Sequence, residues 1–262
     1  MDNRKSPVVK ILTIFLMTVA LWAAYQLYKD HKKYESADHQ YEELKRSVTE
    51  GGEKLPMPKK EGQKKSETSG RSSPISVDFK KLHAMDGGSN VVGWIYVEAL
   101  DISYPIMQGE DNDYYLHRDM AGGYAVSGSI FLDSQNSADF SDQNSIIFGH
   151  NMADGSMFGQ MKEFSIGTAF QTSPYVWILT EEKESCYQIF SAQVVEVTSE
   201  CYTLYSEPDA YYVDFLKRMH LNSGIDTGEW KFRETDKIVT LSTCNGDGSA
   251  TTRYVVQAVK IN

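Results

Sequence analysis

The chain has 262 residues with 26 Lys/Arg and 36 Asp/Glu, a formal net charge of −10, and a length that allows one or two domains. The charge is unevenly spread: residues 1–33 carry six Lys/Arg against two Asp/Glu, residues 34–73 carry eight of each, and residues 74–262 carry twelve against 26, a net −14. An acidic globule of that kind lacks the basic footprint that a nucleic-acid partner requires.

An apolar run at 11–28 is broken only by Thr13, Thr18 and Gln26. At about 1.5 Å per residue it covers most of a hydrocarbon core of about 30 Å. Arg4, Lys5 and Lys10 precede it and Lys29, Lys32 and Lys33 follow, so flanking charge leaves its orientation open. The expected role is an uncleaved N-terminal membrane anchor over 1–33. The rivals are a cleaved signal peptide, whose cleavage site Trp22 and Tyr25 would spoil, and a buried core helix.

Residues 34–48 read as a polar helix. Residues 49–74 hold Gly51-Gly52, three prolines and scattered lysines and serines, the composition of a flexible spacer. The globule is expected from 75 to 262. A short helix is predicted at 78–85. Strands are predicted at 91–97, 102–105, 128–132, 145–148, 175–180, 187–197, 237–243 and 254–261. Eight strands with few long helices between them indicate a mainly antiparallel barrel or sandwich. At 209–222, Tyr212, Phe215, Leu216 and Met219 recur at helical spacing and predict an inserted helix with one buried face. A second short helix is predicted at 157–164.

Three cysteines cannot all pair. Cys186 and Cys201 flank one predicted strand, whose ends lie too far apart for a disulfide, and read as small buried hydrophobes. Cys244 ends the run Thr240-Leu241-Ser242-Thr243-Cys244, and Asn245-Gly246-Asp247-Gly248 then forms a turn. Arg253 opens the next apolar run. If the two runs pair, thiol and guanidinium sit together at one end of a sheet, an arrangement suited to acyl transfer. Among the histidines, His150 follows the strand 145–148 through Gly149 and precedes an open loop, a position for a proton carrier. His117 falls in an acidic, polar turn. The chain has no C-x-x-C or H-E-x-x-H motif for a metal, no G-x-S-x-G elbow, and no motif calling for a cofactor.

These residues resemble the sortases, the cell-wall cysteine transpeptidases of Gram-positive bacteria. Thr240 to Cys244 is similar to their TL-x-T-C signature. Ile147-Phe148-Gly149-His150 is similar to the strand end that carries their histidine, and Thr252-Arg253-Tyr254-Val255-Val256 to the strand that carries their arginine. Val92-Gly93-Trp94-Ile95, Tyr104 to Gly109, Asn112 to Leu116, Gly128 to Asp133 and the helix 209–222 resemble class B sequence. The likeness covers roughly 77–262 and includes the anchor.

The resemblance implies an eight-stranded sortase β-barrel with added helices. It also implies a single N-terminal transmembrane helix, with the N-terminus inside and the catalytic domain outside. Cys244 would attack a threonine carbonyl in the C-terminal sorting signal of a secreted protein. His150 would protonate the departing amine, and Arg253 would stabilise the oxyanion. The thioester would pass to an amine acceptor, either a peptidoglycan precursor or, in a pilus-assembling enzyme, a pilin lysine. Asn112, Leu116, Thr198, Tyr202, Leu204 and Ser242 match positions that line the peptide groove. Asn245 stands where some class B enzymes carry an acidic residue, with Asp247 close by. A membrane-anchored binding module with Cys244 as a structural thiol is the reading from a different functional class. Free thiol and imidazole pKa values of about 8.5 and 6.5 leave only a minority of molecules as the thiolate–imidazolium pair.

Overall fold

Eight strands close into a barrel in the order β10-β8-β7-β3-β4-β5-β6-β9. They are β3 (Val91–Val97), β4 (Ile102–Met107), β5 (Ile130–Leu132), β6 (Asn144–Phe148), β7 (Tyr175–Leu179), β8 (Glu184–Glu196), β9 (Ile238–Cys244) and β10 (Thr252–Lys260). The architecture comes from a computed structural model, which describes residues 7–51 and 71–262, apart from the side chains of 7–10, 27 and 29–39. The middle of the expected spacer, Arg4 and Lys5 therefore lie outside the described residues. So do the side chains of Lys10, Lys29, Lys32 and Lys33.

The strands read as nearly unbroken apolar runs because both of their faces are covered. Ile95, Val97, Ile106, Ile147, Ile178, Val239, Leu241 and Val256 fill the inside. Alternate residues of the same strands point outward. Trp94, Tyr96, Phe131 and Trp177 pack under a cover that includes Phe79, Leu82 and Val48. On another outer face, Phe190, Ile238, Val255 and Val259 meet Tyr212, Phe215, Leu216 and Met219 of α5 (Ala210–Leu221). Most neighbouring strands are antiparallel, but β4/β5 and β6/β9 are parallel. Pro105 sits opposite Trp94 in the β3/β4 ladder, and on the other side of β4 the three-residue β5 pairs only with Ile106 and Met107, so that ladder asks no N–H of it.

Several local expectations are refined. The inserted helix has Asp209 as its N-cap, accepting from Tyr212 N at 2.8 Å. The short helix α2 (Phe79–His83) is capped by Asp78 in the same way. The helix expected at 157–164 is displaced to α3 (Glu163–Ile166). Met157 has a φ of 53°, which a right-handed helix does not admit, and the residues after it run as turns. A further short helix, α4 (Ala169–Thr172), follows. Cys186 and Cys201 are free and fully buried. Burial pushes their thiols up to about 12 and about 11 respectively.

The N-terminal portion differs most from its sequence reading. The apolar run and the polar helix are one continuous element, α1 (Pro7–Val48). No Gly or Pro interrupts 8–48, so nothing breaks the helix between the two. Among the described residues, no helix is long and apolar enough to cross a membrane. The start of the expected spacer is β1 (Thr49–Gly51), which pairs antiparallel with β2 (Ile75–Val77). Tyr41 and Val48, near the end of α1, are buried against the barrel, and Lys45 pairs with Asp101 at 3.0 Å.

Candidate active site

β9 is held in place by its own polar residues as well as its apolar ones. Thr240 Oγ1 donates to Asn144 Oδ1 at 2.8 Å and accepts from Gln257 Nε2 at 3.1 Å, which satisfies polar groups inside the wall. Its last residue, Cys244, emerges exposed at the barrel mouth. Across the ladder, Cys244 is in register with Arg253. Nη1 of Arg253 donates to the carbonyls of Ala250 and Thr252 at 3.1 and 2.9 Å. Among the described residues no carboxylate forms an ion pair with it, so its charge is not already neutralised.

The intervening loop is organised by Asp247. Its carboxylate accepts from Asn245 Nδ2 at 2.7 Å, from Ser249 N at 2.8 Å and from Thr252 Oγ1 at 3.1 Å. These bonds, led by that from the Ser249 amide, hold its pKa below the ordinary carboxylate value. Gly246 is required there twice over. Its φ is 74°, and an added Cβ would stand 2.7 Å from Asn151 Nδ2.

His150 arrives from the neighbouring strand. Phe148 is paired in parallel with Ser242, and Gly149 N donates to Ser242 O at 3.2 Å. His150 and Cys244 each lie two residues beyond that pair, so both leave the wall at the same end and on the same face. Asn151 Nδ2 donates to Cys244 O at 3.0 Å and ties the two strand ends together.

The imidazole is half-buried, with Nε2 2.7 Å from Leu116 O. A carbonyl only accepts, so Nε2 carries the hydrogen, and in the neutral ring the basic lone pair is on Nδ1. The His117 ring stacks on it at 5.5 Å and 23°. Burial lowers the His150 pKa; the Leu116 bond opposes this and the His117 charge adds to it.

The six groove residues fall in different places. Ser242 is buried beside Cys244, and its Oγ lies 2.8 Å from Tyr202 OH. Tyr202 stacks on Phe148 and stands near both Cys244 and Arg253; burial pushes its phenol up to about 12. Leu116 reaches the site through its backbone, while its side chain packs, partly buried, against the outer cluster that contains Tyr115 and Phe131. Asn112 spends its amide on scaffold bonds, donating to Asp133 Oδ2 at 2.9 Å and accepting from Ser134 N at 2.8 Å. Thr198 is exposed in the turn after β8, next to Val197, whose N–H bonds Thr251 O near Arg253. Leu204 follows Thr203, whose carbonyl accepts from Asn144 at the opposite end of β6 from His150. Sequence reading passed over His117 and Asn151. Only the adjacency of each to a named site residue could have flagged them.

The geometry has clear counterparts. A Sortase domain profile matches residues 95–261. Sortase B of Listeria monocytogenes is 36% identical over 173 residues, 64% of this chain and 66% of that protein. Sortase B of Staphylococcus aureus is 27% identical over 187 residues, 71% of this chain and 75% of that protein. Among solved structures, sortase B of Clostridium perfringens superposes with a TM-score of 0.63 at 34% identity, covering 70% of this chain and 99% of that one. The Staphylococcus aureus sortase B–substrate complex gives 0.64 at 28% identity, over 70% and 84%. An exposed thiol paired in register with an arginine leaves little room for the binding-module alternative. With the barrel, the ordered motifs and these relatives in agreement, the chain belongs to the sortase family of cysteine transpeptidases, alongside its class B members.

Proposed function

We propose that this protein cleaves the C-terminal sorting signal of a secreted protein after a threonine and joins the new end to an amine of the peptidoglycan cross-bridge. The observation that carries the reading is the meeting of three strand ends. Cys244 faces Arg253 across the β9/β10 ladder, and His150 leaves β6 beside them.

Each step follows from those positions. Cys244 Sγ, as thiolate, adds to the threonine carbonyl carbon. The carbonyl oxygen takes the negative charge, and the Arg253 guanidinium, which no carboxylate pairs with among the described residues, donates to it. The C–N bond breaks as the protonated His150 gives its Nδ1 proton to the departing amine. A thioester remains on Cys244. The acceptor amine adds to it and loses its proton to Nδ1, and the C–S bond breaks to restore the thiolate. Burial lowers the His150 pKa, which disfavours the imidazolium that this step needs.

Localisation is part of the proposal. The side chains of Ile11, Leu12, Phe15, Leu16, Leu21 and Trp22 are all more than half exposed, an apolar surface that water does not favour. We read it as a lipid-facing anchor, with the barrel outside the membrane. The sorting peptide is read into the space beside Ser242 and Tyr202.

The test is cleavage of a library of sorting-signal peptides by the purified chain, with and without oligoglycine or a lysine peptide as acceptor. Cys244→Ala should abolish cleavage while leaving the circular dichroism unchanged. Arg253→Ala should lower kcat by about 100-fold or more, the size expected for losing an oxyanion donor. Cleavage surviving Cys244→Ala would overturn the assignment, and a product formed only with the lysine peptide would replace the cross-bridge acceptor with a pilin.

A further inference from the structure

His150 is held from two sides, and both lead to one residue of α1. On the first side, Leu116 O accepts from Nε2. Leu116 belongs to the turn Tyr114–His117, which Ser129 closes. Ser129 N donates to Tyr115 O at 3.0 Å, and Ser129 Oγ donates to Arg118 O at 2.7 Å. Gly128 lies directly on the Leu116 carbonyl: a Cβ added there would stand 2.4 Å from that oxygen. Tyr41 OH is 2.9 Å from Ser129 Oγ and 3.2 Å from Gly128 O. The Ser129 proton is committed to Arg118, so the single hydroxyl proton of Tyr41 is shared between Ser129 Oγ and Gly128 O.

The second side is the loop that follows His150. Phe158 N donates to His150 O at 2.9 Å. Its neighbour Met157, in the left-handed backbone region, donates N–H to Tyr104 OH at 3.2 Å. The Tyr104 ring meets the Tyr41 ring edge to face, with centroids 5.6 Å apart. Tyr41 therefore touches both flanks of His150 without touching His150 itself. It is 7% exposed, and burial raises its pKa far enough that it stays a donor at any working pH.

We infer that Tyr41 is a positioning residue: docked through it, α1 fixes the orientation and Nε2–H tautomer of the His150 ring, so proton transfer at Nδ1 depends on the helix that leads to the apolar segment. The inference rests on the role proposed above for His150. It makes the end of α1 part of the active-site scaffold.

The test uses the full chain with Tyr41→Phe, Ser129→Ala and the double variant. Three quantities are read: the NMR titration of the His150 ring protons, the split between kcat and KM, and thermal unfolding. Both variants leave in place His117, which stacks on the ring, and Cys244 and Arg253 at the neighbouring strand ends. The expected result is a moved His150 midpoint and a kcat lower by about tenfold, the scale of a small misplacement of a catalytic group. KM should stay within about twofold. The double variant should be no worse than the worse single one, because the two residues serve one link. A folded Tyr41→Phe with unchanged midpoint and unchanged kcat overturns the inference, even if its unfolding temperature falls. If Tyr41→Phe does not fold, Ser129→Ala decides by the same readings. If the parent chain cleaves no sorting peptide, the proposed function fails, and a moved midpoint still supports the link from Tyr41 to His150.

Discussion

At the scale of single residues, the site depends on who holds the proton. Leu116 O assigns the hydrogen to Nε2 and leaves Nδ1 for chemistry. His117, stacked on the ring, pushes its pKa in the same direction as burial does. Removing His117 should therefore raise the His150 pKa. In the proposed mechanism the active form needs thiolate and imidazolium together, and the lower of the two pKa values sets the acid limb of the rate profile. In His117→Ala that limb should move to higher pH, and the peak rate should rise with it, as a larger fraction of molecules carries the productive pair. A pH–rate profile alongside an NMR titration checks both, and a shift to lower pH would contradict the electrostatic account. His117 was legible only as a polar turn residue, because its partner lies 33 positions later and nothing local links them.

At the scale of elements, α5 shows how much periodicity can reveal. The spacing of Tyr212, Phe215, Leu216 and Met219 predicts a one-sided helix, and all four are buried. The same pattern is silent on what the stripe meets. Tyr212 OH donates to Gln143 O at 3.0 Å and to Asp236 O at 2.9 Å, joining the helix to the segments that lead into β6 and β9. Tyr212→Phe leaves the buried Asp236 carbonyl without this donor, while Gln143 O keeps the Ile238 amide, and should cost about 1–3 kcal/mol of unfolding free energy. Both strands begin there and end at the site, so kcat at low temperature should hardly change. Denaturant unfolding and peptide cleavage separate the two effects. The short helix expected at 157–164 is displaced because of a single residue. Met157 takes a left-handed φ under tertiary restraint from Tyr104 and Asn151, and propensity does not encode that.

At the scale of the whole molecule, closure of the barrel is what assembles the site. β9 is paired on one side with β6 and on the other with β10. Its amides, and those of β10 between β8 and β9, should exchange with solvent only through global unfolding. The 245–251 loop between them should exchange orders of magnitude faster, since its bonds are side-chain caps at the surface. Hydrogen exchange read by mass spectrometry tests this. Loop amides as protected as those of β9 would mean a rigid mouth.

The sequence by itself determined the inventory and its order: an apolar segment, eight strand-forming runs, an inserted amphipathic helix, and His150, Cys244 and Arg253 at the ends of strands. Those features are written in local period and residue type, which neighbours along the chain reveal. Cys244 and Arg253 were also within reach, because one short loop joins their strands. Only the tertiary structure decided that β6 runs parallel to β9 and brings His150 to Cys244. The ring's tautomer, the use of Asn112 as scaffold and the docking of Tyr41 behind the site were decided there too. The physical reason is common to all of these. Each contact joins residues far apart in the chain, and its partner exists only once the barrel has closed.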